Sequence, residues 1–64
     1  MQKKLEKIII EIECGNSAFE GSGRKECARI LREIADDLIH GLDPKKPRDL
    51  NGNPCGDVTT IENI

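Results

Sequence analysis

The chain has 64 residues and a net charge of −2, with 10 Lys and Arg against 12 Asp and Glu, and 36% of its residues are hydrophobic. This length allows one small domain, residues 1–64, with a thin core, and such domains gain stability from disulfides, metals or partner subunits. The mixed charge and clear apolar periodicity exclude a disordered chain. A slight acidic excess and a single aromatic residue, Phe19, disfavour general nucleic-acid binding.

Membrane insertion and disulfide chemistry are also disfavoured. The longest apolar run, residues 8–10, is far below the roughly 20 residues of a membrane span, and the pattern of the first residues does not predict a signal peptide. Three dispersed cysteines, Cys14, Cys27 and Cys55, cannot all pair within one chain. We therefore expect a cytoplasmic protein with reduced thiols.

The first predicted element is a half-buried strand over residues 5–14. Ile8, Ile10, Ile12 and Cys14 recur at every second position, which is typical of a strand with one apolar face. A loop follows over residues 15–23, and we expect its one aromatic side chain to fold beneath it as a plug between strand and helix.

Helical periodicity then predicts one amphipathic helix over residues 23–40. Ser22 or Gly23 is the expected N-cap, Gly41 is the expected left-handed C-cap residue, and Pro44 blocks continuation. The apolar positions of this helix are Cys27, Ile30, Leu31, Ile34, Leu38 and Ile39.

The last third of the chain predicts a connector and a hairpin. Residues 42–47 contain two prolines and three charges and form a solvated connector, and Asn51-Gly52 indicates a two-residue type I′ turn between a second and a third strand. Pro54 and Gly56 predict a bulge at the start of the third strand. The predicted fold is α+β, in the order β-α-β-β, a three-stranded sheet with one helix packed on one face.

One face of this sheet is expected to be open. The helix covers the face of the three alternating isoleucines, and the other face carries Ile9, Glu11 and Glu13. An uncovered sheet face on so small a domain predicts docking of a second copy, giving a homodimer, or of another protein. Residues 1–4 and 62–64 are expected to be frayed.

The start of the helix resembles a general anion site. Free amides and the dipole at a helix N-terminus attract phosphate or carboxylate groups. The pattern matches neither the phosphate-binding loop nor the dinucleotide fingerprint, so an ordinary loop is the favoured interpretation and a nucleotide or nucleic-acid site is the alternative. The residues concerned are Gly21, Ser22, Gly23, Arg24 and Lys25.

A charged stripe follows on the helix, formed by Lys25, Arg29, Arg32 and Asp36. The simpler interpretation is a solvated face with Arg29–Glu33 and Arg32–Asp36 pairs. The alternative is a docking stripe for an acidic partner or a nucleic-acid backbone. Together with Arg24 and the open sheet face, these residues are the predicted interaction residues.

No catalytic or metal site is predicted. Cys14, Cys27, His40 and Cys55 include no closely spaced ligand pair, so we expect no metal and no cofactor. A Cys55 nucleophile with His40 would lack a third orienting group. We also expect no cavity of several hundred cubic ångströms, and therefore not an enzyme.

Three motifs of the chain are an E-I-E-x-x-N-x-A-F opening over residues 11–19, an A-R-I-L-R-E-x-A helix over residues 28–35 and an R-D-x-N-G-N hairpin over residues 48–53. With these motifs, residues 8–61 resemble small uncharacterised proteins encoded by bacteriophages and prophages. The resemblance implies a small accessory protein that binds a host protein as an inhibitor or modulator in the host cytoplasm. Nucleotide or nucleic-acid binding at the helix start is the alternative, and a structural subunit without a ligand is a second alternative.

Overall fold

The computed structural model describes residues 4–63. The chain forms strand β1 (Lys4–Ile12), a short 3₁₀ turn (Ser17–Phe19), helix α1 (Gly23–Ile39) and strand β2 (Gly56–Asn63). The two strands pair antiparallel and make a two-stranded ribbon. The predicted helix is confirmed, and it ends one residue earlier than the periodicity indicated.

The predicted three-stranded sheet is wrong. The fold is still a small α+β mixture, but its order is strand, helix, strand, and the segment between α1 and β2 contributes no strand. Of the predicted hairpin, only an isolated bridge between Arg48 and Pro54 is present.

The side chain of Asp49 explains why no hairpin strand forms there. Its Oδ1 atom accepts hydrogen bonds from the backbone amides of Asn51 (2.9 Å) and Asn53 (3.0 Å). Gly52 has φ +80° and no described residue other than glycine has a positive φ, so Asn51-Gly52 does not form the predicted type I′ turn. The loop amides instead donate to the carboxylate of Asp49, and no strand pairing continues beyond the bridge between Arg48 and Pro54.

The ribbon is irregular at a different place from the one predicted. The register runs from Ile12 opposite Gly56 to Lys4 opposite Asn63, with its one irregularity between Leu5 and Lys7. The predicted bulge at Gly56 is therefore wrong. A Cβ atom at Gly56 would lie 1.9 Å from the backbone oxygen of Glu11, so glycine is needed there because the two strands approach closely.

The core is small and lies at one end of the ribbon. Ile8, Ile10 and Ile12 lie on the face of the ribbon that the sequence predicted to be covered by α1. Ile10 is still 37% exposed, so the expectation that α1 covers all three isoleucines is also wrong. Phe19 is buried, which confirms the expected burial of the one aromatic side chain. We call the buried hydrophobic residues the core cluster: Phe19, Ile30, Ile34 and Cys55. The half-buried residues packed against it are Ile12, Ala18, Cys27 and Val58.

The two ends of α1 are capped differently. Ser22 is the N-cap by position, although its side chain makes no capping hydrogen bond. At the other end, Gly41 has φ +73°, its amide donates to the Leu38 oxygen, and the Leu42 amide donates to the Asp37 oxygen. These two bonds form a Schellman motif, which confirms the predicted left-handed glycine.

The molecule is elongated, with extents of 45 × 18 × 17 Å and a radius of gyration of 13.1 Å, against about 11 Å for a compact chain of this length. Lys4 and the residues 62–63 that we expected to be frayed belong to the paired ribbon, while residues 1–3 and 64 lie outside the described residues. Within residues 4–63, no helix has the length and apolarity to cross a membrane.

Candidate functional site

A buried carboxylate lies in the first turn of α1. Glu26 is 5% exposed and accepts hydrogen bonds from Arg29 Nε (2.8 Å) and Nη2 (2.7 Å). These bonds, with a further one from the Leu50 backbone, hold the pKa of Glu26 below its ordinary value, against the opposing effect of burial. The same pairing raises the pKa of Arg29.

A second buried carboxylate extends this arrangement to the Asp49 loop. Asp49 is 5% exposed, and its Oδ2 accepts a hydrogen bond from Asn16 Nδ2 at 3.0 Å. Arg29 Nη2 donates to the Arg48 backbone oxygen at 3.1 Å. We call Asn16, Glu26, Arg29 and Asp49 the polar cluster. It joins the 3₁₀ turn, the helix and the loop, and every buried side-chain nitrogen and oxygen within residues 4–63 has a hydrogen-bond partner.

The sequence missed the polar cluster, although two signals for it were present. Asn16 precedes the 3₁₀ turn and accepts a hydrogen bond from the Ala18 amide at 2.9 Å, as an N-cap asparagine does. An aspartate two residues before Asn51-Gly52 is typical of an Asx turn. Neither signal indicates that both side chains meet across 33 residues.

The charged stripe of the helix is only partly free. Arg29 is held by Glu26 and also pairs with Glu33, which confirms one of the two expected pairs. Among the described residues, Arg32 makes no ion pair with Asp36. The Oδ1 atom of Asp36 lies 3.8 Å from Nδ1 of His40 instead. Lys25, Arg24 and Arg32 are exposed. Docking through this stripe stays a prediction. Arg29 is bound to Glu26 in the polar cluster.

The open sheet face predicted from the sequence is present on the ribbon. Residues opposite each other in an antiparallel register point to the same side, which puts Ile9 (40% exposed) and Ile61 (42% exposed) on one face. Glu13 lies beyond the end of β1 and is exposed. We call the following residues the outer face: Lys7, Ile9, Glu11, Asp57, Thr59 and Ile61.

The outer face contains two carboxylates in direct opposition. Glu11 and Asp57 are register partners, and like charges at such positions destabilise an isolated sheet. Asp57 is 3.6 Å from Lys46 Nζ, in an exposed ion pair. Lys7 contributes a positive charge on the other side of Ile9. The face is therefore apolar at its centre and acidic at one end.

The electrostatics at the start of α1 do not favour the predicted anion site. Gly21 has φ +74°, and Arg24 and Lys25 are exposed, as expected for a turn that leads into a helix. The first turn of α1 already holds the carboxylate of Glu26, which interacts favourably with the positive end of the helix dipole. Anion binding by residues 21–25 stays a prediction.

The three cysteines lie in three different environments. Cys55 is buried in the core cluster, and burial raises its pKa. Cys14 is exposed beyond the end of β1, not on the apolar strand face where the alternation placed it. Its Sγ lies 3.1 Å from Sγ of Cys27, and the hydrogen bond between these two thiols raises the pKa of Cys14. No group of three or more metal-ligating side chains is present in residues 4–63.

The surface also contains open depressions, two of which lie beside residues of the candidate site. One, of about 440 Å³, lies beside the thiol pair, and the other, of about 270 Å³, lies between α1 and residues 45–48. The expectation that so short a chain would form no depression of several hundred cubic ångströms is wrong. The larger depression is lined by Cys14, Gly23, Arg24, Cys27, Ala28 and Leu31.

No family model, curated protein or solved structure matches the chain.

Proposed function

We propose that the protein acts by non-covalent binding of another protein, and that the outer face of the ribbon is the binding surface. In line with the resemblance to phage and prophage proteins, the partner is a host protein, which the chain inhibits or modulates in the host cytoplasm. The observation that carries the proposal is the excess of exposed surface.

The chain exposes 5086 Å² of solvent-accessible surface, whereas a compact monomer of its 7.1 kDa mass exposes about 4,100 Å². The excess of about 1,000 Å² is comparable to the roughly 800 Å² that each partner contributes to a standard protein interface. A partner seated on the ribbon would remove this excess.

The chemical character of the outer face fits such an interface. Ile9 and Ile61 supply an apolar centre, and charged residues surround it, which is the usual arrangement of a buried centre with a polar rim. The opposed carboxylates Glu11 and Asp57 favour a partner that brings a basic side chain between them. That cation would relieve their mutual repulsion.

The distribution of the chemically active groups also supports binding over catalysis. The two buried carboxylates, Glu26 and Asp49, are fully engaged in the polar cluster. The exposed carboxylates Glu11 and Asp57 lie on an open sheet face, which offers a substrate no enclosure from water.

A second copy is the alternative occupant of the outer face, and one observation favours it. Lys7 and Glu11 lie two residues to either side of Ile9 on the same face. A two-fold axis through Ile9 would bring Lys7 of each copy to Glu11 of the other, as an isologous interface requires. The chain would then be a homodimer.

The test uses the full chain and host-cell lysate. Affinity capture with the wild type is compared with Ile9→Lys, which puts a charge at the centre of the outer face, and with the matched control Ile39→Lys, which alters a residue that is 80% exposed at the helix end. Circular dichroism establishes that both variants stay folded.

We expect one stoichiometric host protein with the wild type and with the Ile39 control, and its loss with the Ile9 variant. Hydrogen exchange on the purified complex should show added protection in β1 and β2. Capture that survives Ile9→Lys, or protection confined to α1, would contradict the outer face as the binding surface. A purified chain that sediments as a dimer only when Ile9 is intact would favour the second copy.

A further inference from the structure

Two cysteine thiols from separate elements meet beside the start of the helix. Cys14 lies two residues beyond β1, Cys27 lies in α1, and their Sγ atoms are 3.1 Å apart. Cys14 is exposed, whereas Cys27 is half-buried and packs against the core cluster. The pair offers one thiol to a reagent in solution and places a second thiol within reach of the first.

We propose that Cys14 and Cys27 form a reversible intramolecular disulfide, with a small-molecule disulfide such as glutathione disulfide as the oxidant. The Cys14 thiolate attacks one sulfur of the reagent, whose S–S bond breaks and releases one thiolate. The Cys27 thiolate then attacks the Cys14 sulfur, displaces the second reagent thiolate and closes the new bond. The two protein thiols lose two protons and two electrons, and the reagent is reduced to two thiols.

The position of the pair gives a reagent access to Cys14 and places Cys27 to complete the bond. The open depression of about 440 Å³ includes both cysteines and Gly23 in its wall, so a reagent can approach Cys14 from solvent. Gly23 has no side chain, and a Cβ atom there would meet only the Cβ of Phe19, at 3.7 Å. The attacking thiol is therefore accessible, and the resolving thiol is fixed by the packing of the helix.

The third cysteine does not compete for the bond. Cys55 is 4% exposed and lies in the core cluster with Phe19 and Ile30. A reagent can reach its sulfur only if the core opens. Oxidation is thus directed to the one pair of thiols that already touch.

The disulfide would tie the end of β1 to the helix across residues 15–26. This segment includes Asn16 of the polar cluster and Phe19 of the core cluster. Because a cross-link over a loop of this length restricts the unfolded chain, we expect oxidation to raise the melting temperature by about 10 °C or more.

The experiment equilibrates the full chain with mixtures of reduced and oxidised glutathione and then measures free thiols, intact mass, peptide map and melting temperature. We expect loss of two thiols and of two hydrogen masses, a Cys14–Cys27 cross-linked peptide, and recovery of three thiols on reduction. Cys55→Ser should behave in the same way. Cys27→Ser should instead accumulate a stable glutathione adduct at Cys14.

Other outcomes would overturn the proposal. These are a wild-type chain that stops at a mixed disulfide, a bond that includes Cys55, a cross-link between two chains, or an oxidised chain that melts at the same temperature as the reduced one. Outer-face binding by oxidised and reduced protein, measured in parallel, separates this result from the proposed function, because the disulfide is expected whether or not the ribbon binds a partner.

Discussion

Glu11 and Asp57 lie directly opposite each other in the register of the ribbon, on its outer face. Two carboxylates at such positions repel, at a cost of about 0.2–1 kcal/mol to the isolated sheet. The small core of the chain leaves little stability to spare, and yet this repulsion is present on the surface that we propose for binding. The stability of the free chain and the affinity for its partner should therefore respond in opposite directions when one of the charges is removed.

We expect Glu11→Gln to raise the free energy of unfolding by about 0.2–1 kcal/mol and to weaken binding of the host protein. Urea denaturation measures the first effect and calorimetric titration of the purified partner measures the second. Glu13→Gln is the matched control, because Glu13 lies beyond the paired strand. A Glu11 variant that binds as tightly as the wild type would argue against a basic group of the partner at this position.

Reversing the two charges that flank Ile9 separates a host partner from a second copy. Lys7→Glu and Glu11→Lys should each weaken binding of a host protein, and we expect the double variant to stay defective, because the partner's own charges are unchanged. An isologous dimer behaves differently, since the double variant restores both pairs across the two-fold axis. Sedimentation equilibrium of all three variants, with recovery of self-association in the double variant, would establish the second copy instead.

The pKa of Glu26 makes the fold sensitive to acid. Arg29 and the Leu50 backbone lower this pKa in the folded chain. The resulting stabilisation is complete above the unfolded pKa of about 4.3 and is lost as the pH falls through the lower folded value. We expect the melting temperature of the wild type to fall over this range, and Glu26→Gln to melt lower at neutral pH and to respond less to acid. Glu20→Gln, at an exposed turn position, is the control and should follow the wild type.

Removal of the Asp49 carboxylate should open the loop. Asp49→Ala leaves the amides of Asn51 and Asn53 and the Asn16 side chain without their acceptor. We expect a loss of about 2–3 kcal/mol in the free energy of unfolding, measured by urea denaturation. Asp43→Ala changes an exposed aspartate of the preceding connector and should alter stability by less than about 0.5 kcal/mol. Equal effects of the two substitutions would show that the hydrogen bonds of Asp49 contribute little.

Gly56→Ala should break the ribbon at its closest approach. The added Cβ would lie 1.9 Å from the Glu11 oxygen, so the backbones of β1 and β2 must move apart. We expect destabilisation of about 2 kcal/mol or more and loss of amide protection in both strands. Gly15→Ala, where a Cβ atom would meet nothing within 4 Å, is the matched control. Retained protection after Gly56→Ala would mean that the ribbon adapts.

Local signals in the sequence predicted the local parts of the fold. The periodicity from Cys27 to Ile39 and the glycine at position 41 fix the helix and its end, because an amphipathic face and a left-handed C-cap depend on neighbouring residues only. The alternation of Ile8, Ile10 and Ile12 predicts β1 in the same way.

The parts that depend on distant residues could not be predicted in this way. Asn51-Gly52 indicates a hairpin by itself, but the carboxylate of Asp49 binds the loop amides and ends the pairing. The outer face was half-predicted: Ile9 and Glu11 follow from alternation, whereas the register that places Asp57 opposite Glu11 is a property of the folded ribbon. Contact between Cys14 and Cys27 depends on how the loop turns, and sequence spacing carries no such information.

The pairing of residues 4–12 with residues 56–63 also determines when the outer face comes into existence. The hydrogen bonds of α1 join residues close in sequence, so the helix can form early, whereas the ribbon must first close a long loop. During synthesis, β1 has no partner strand until β2 has been made. The outer face is incomplete until β2 has been made, and the binding that we propose for it could begin only then.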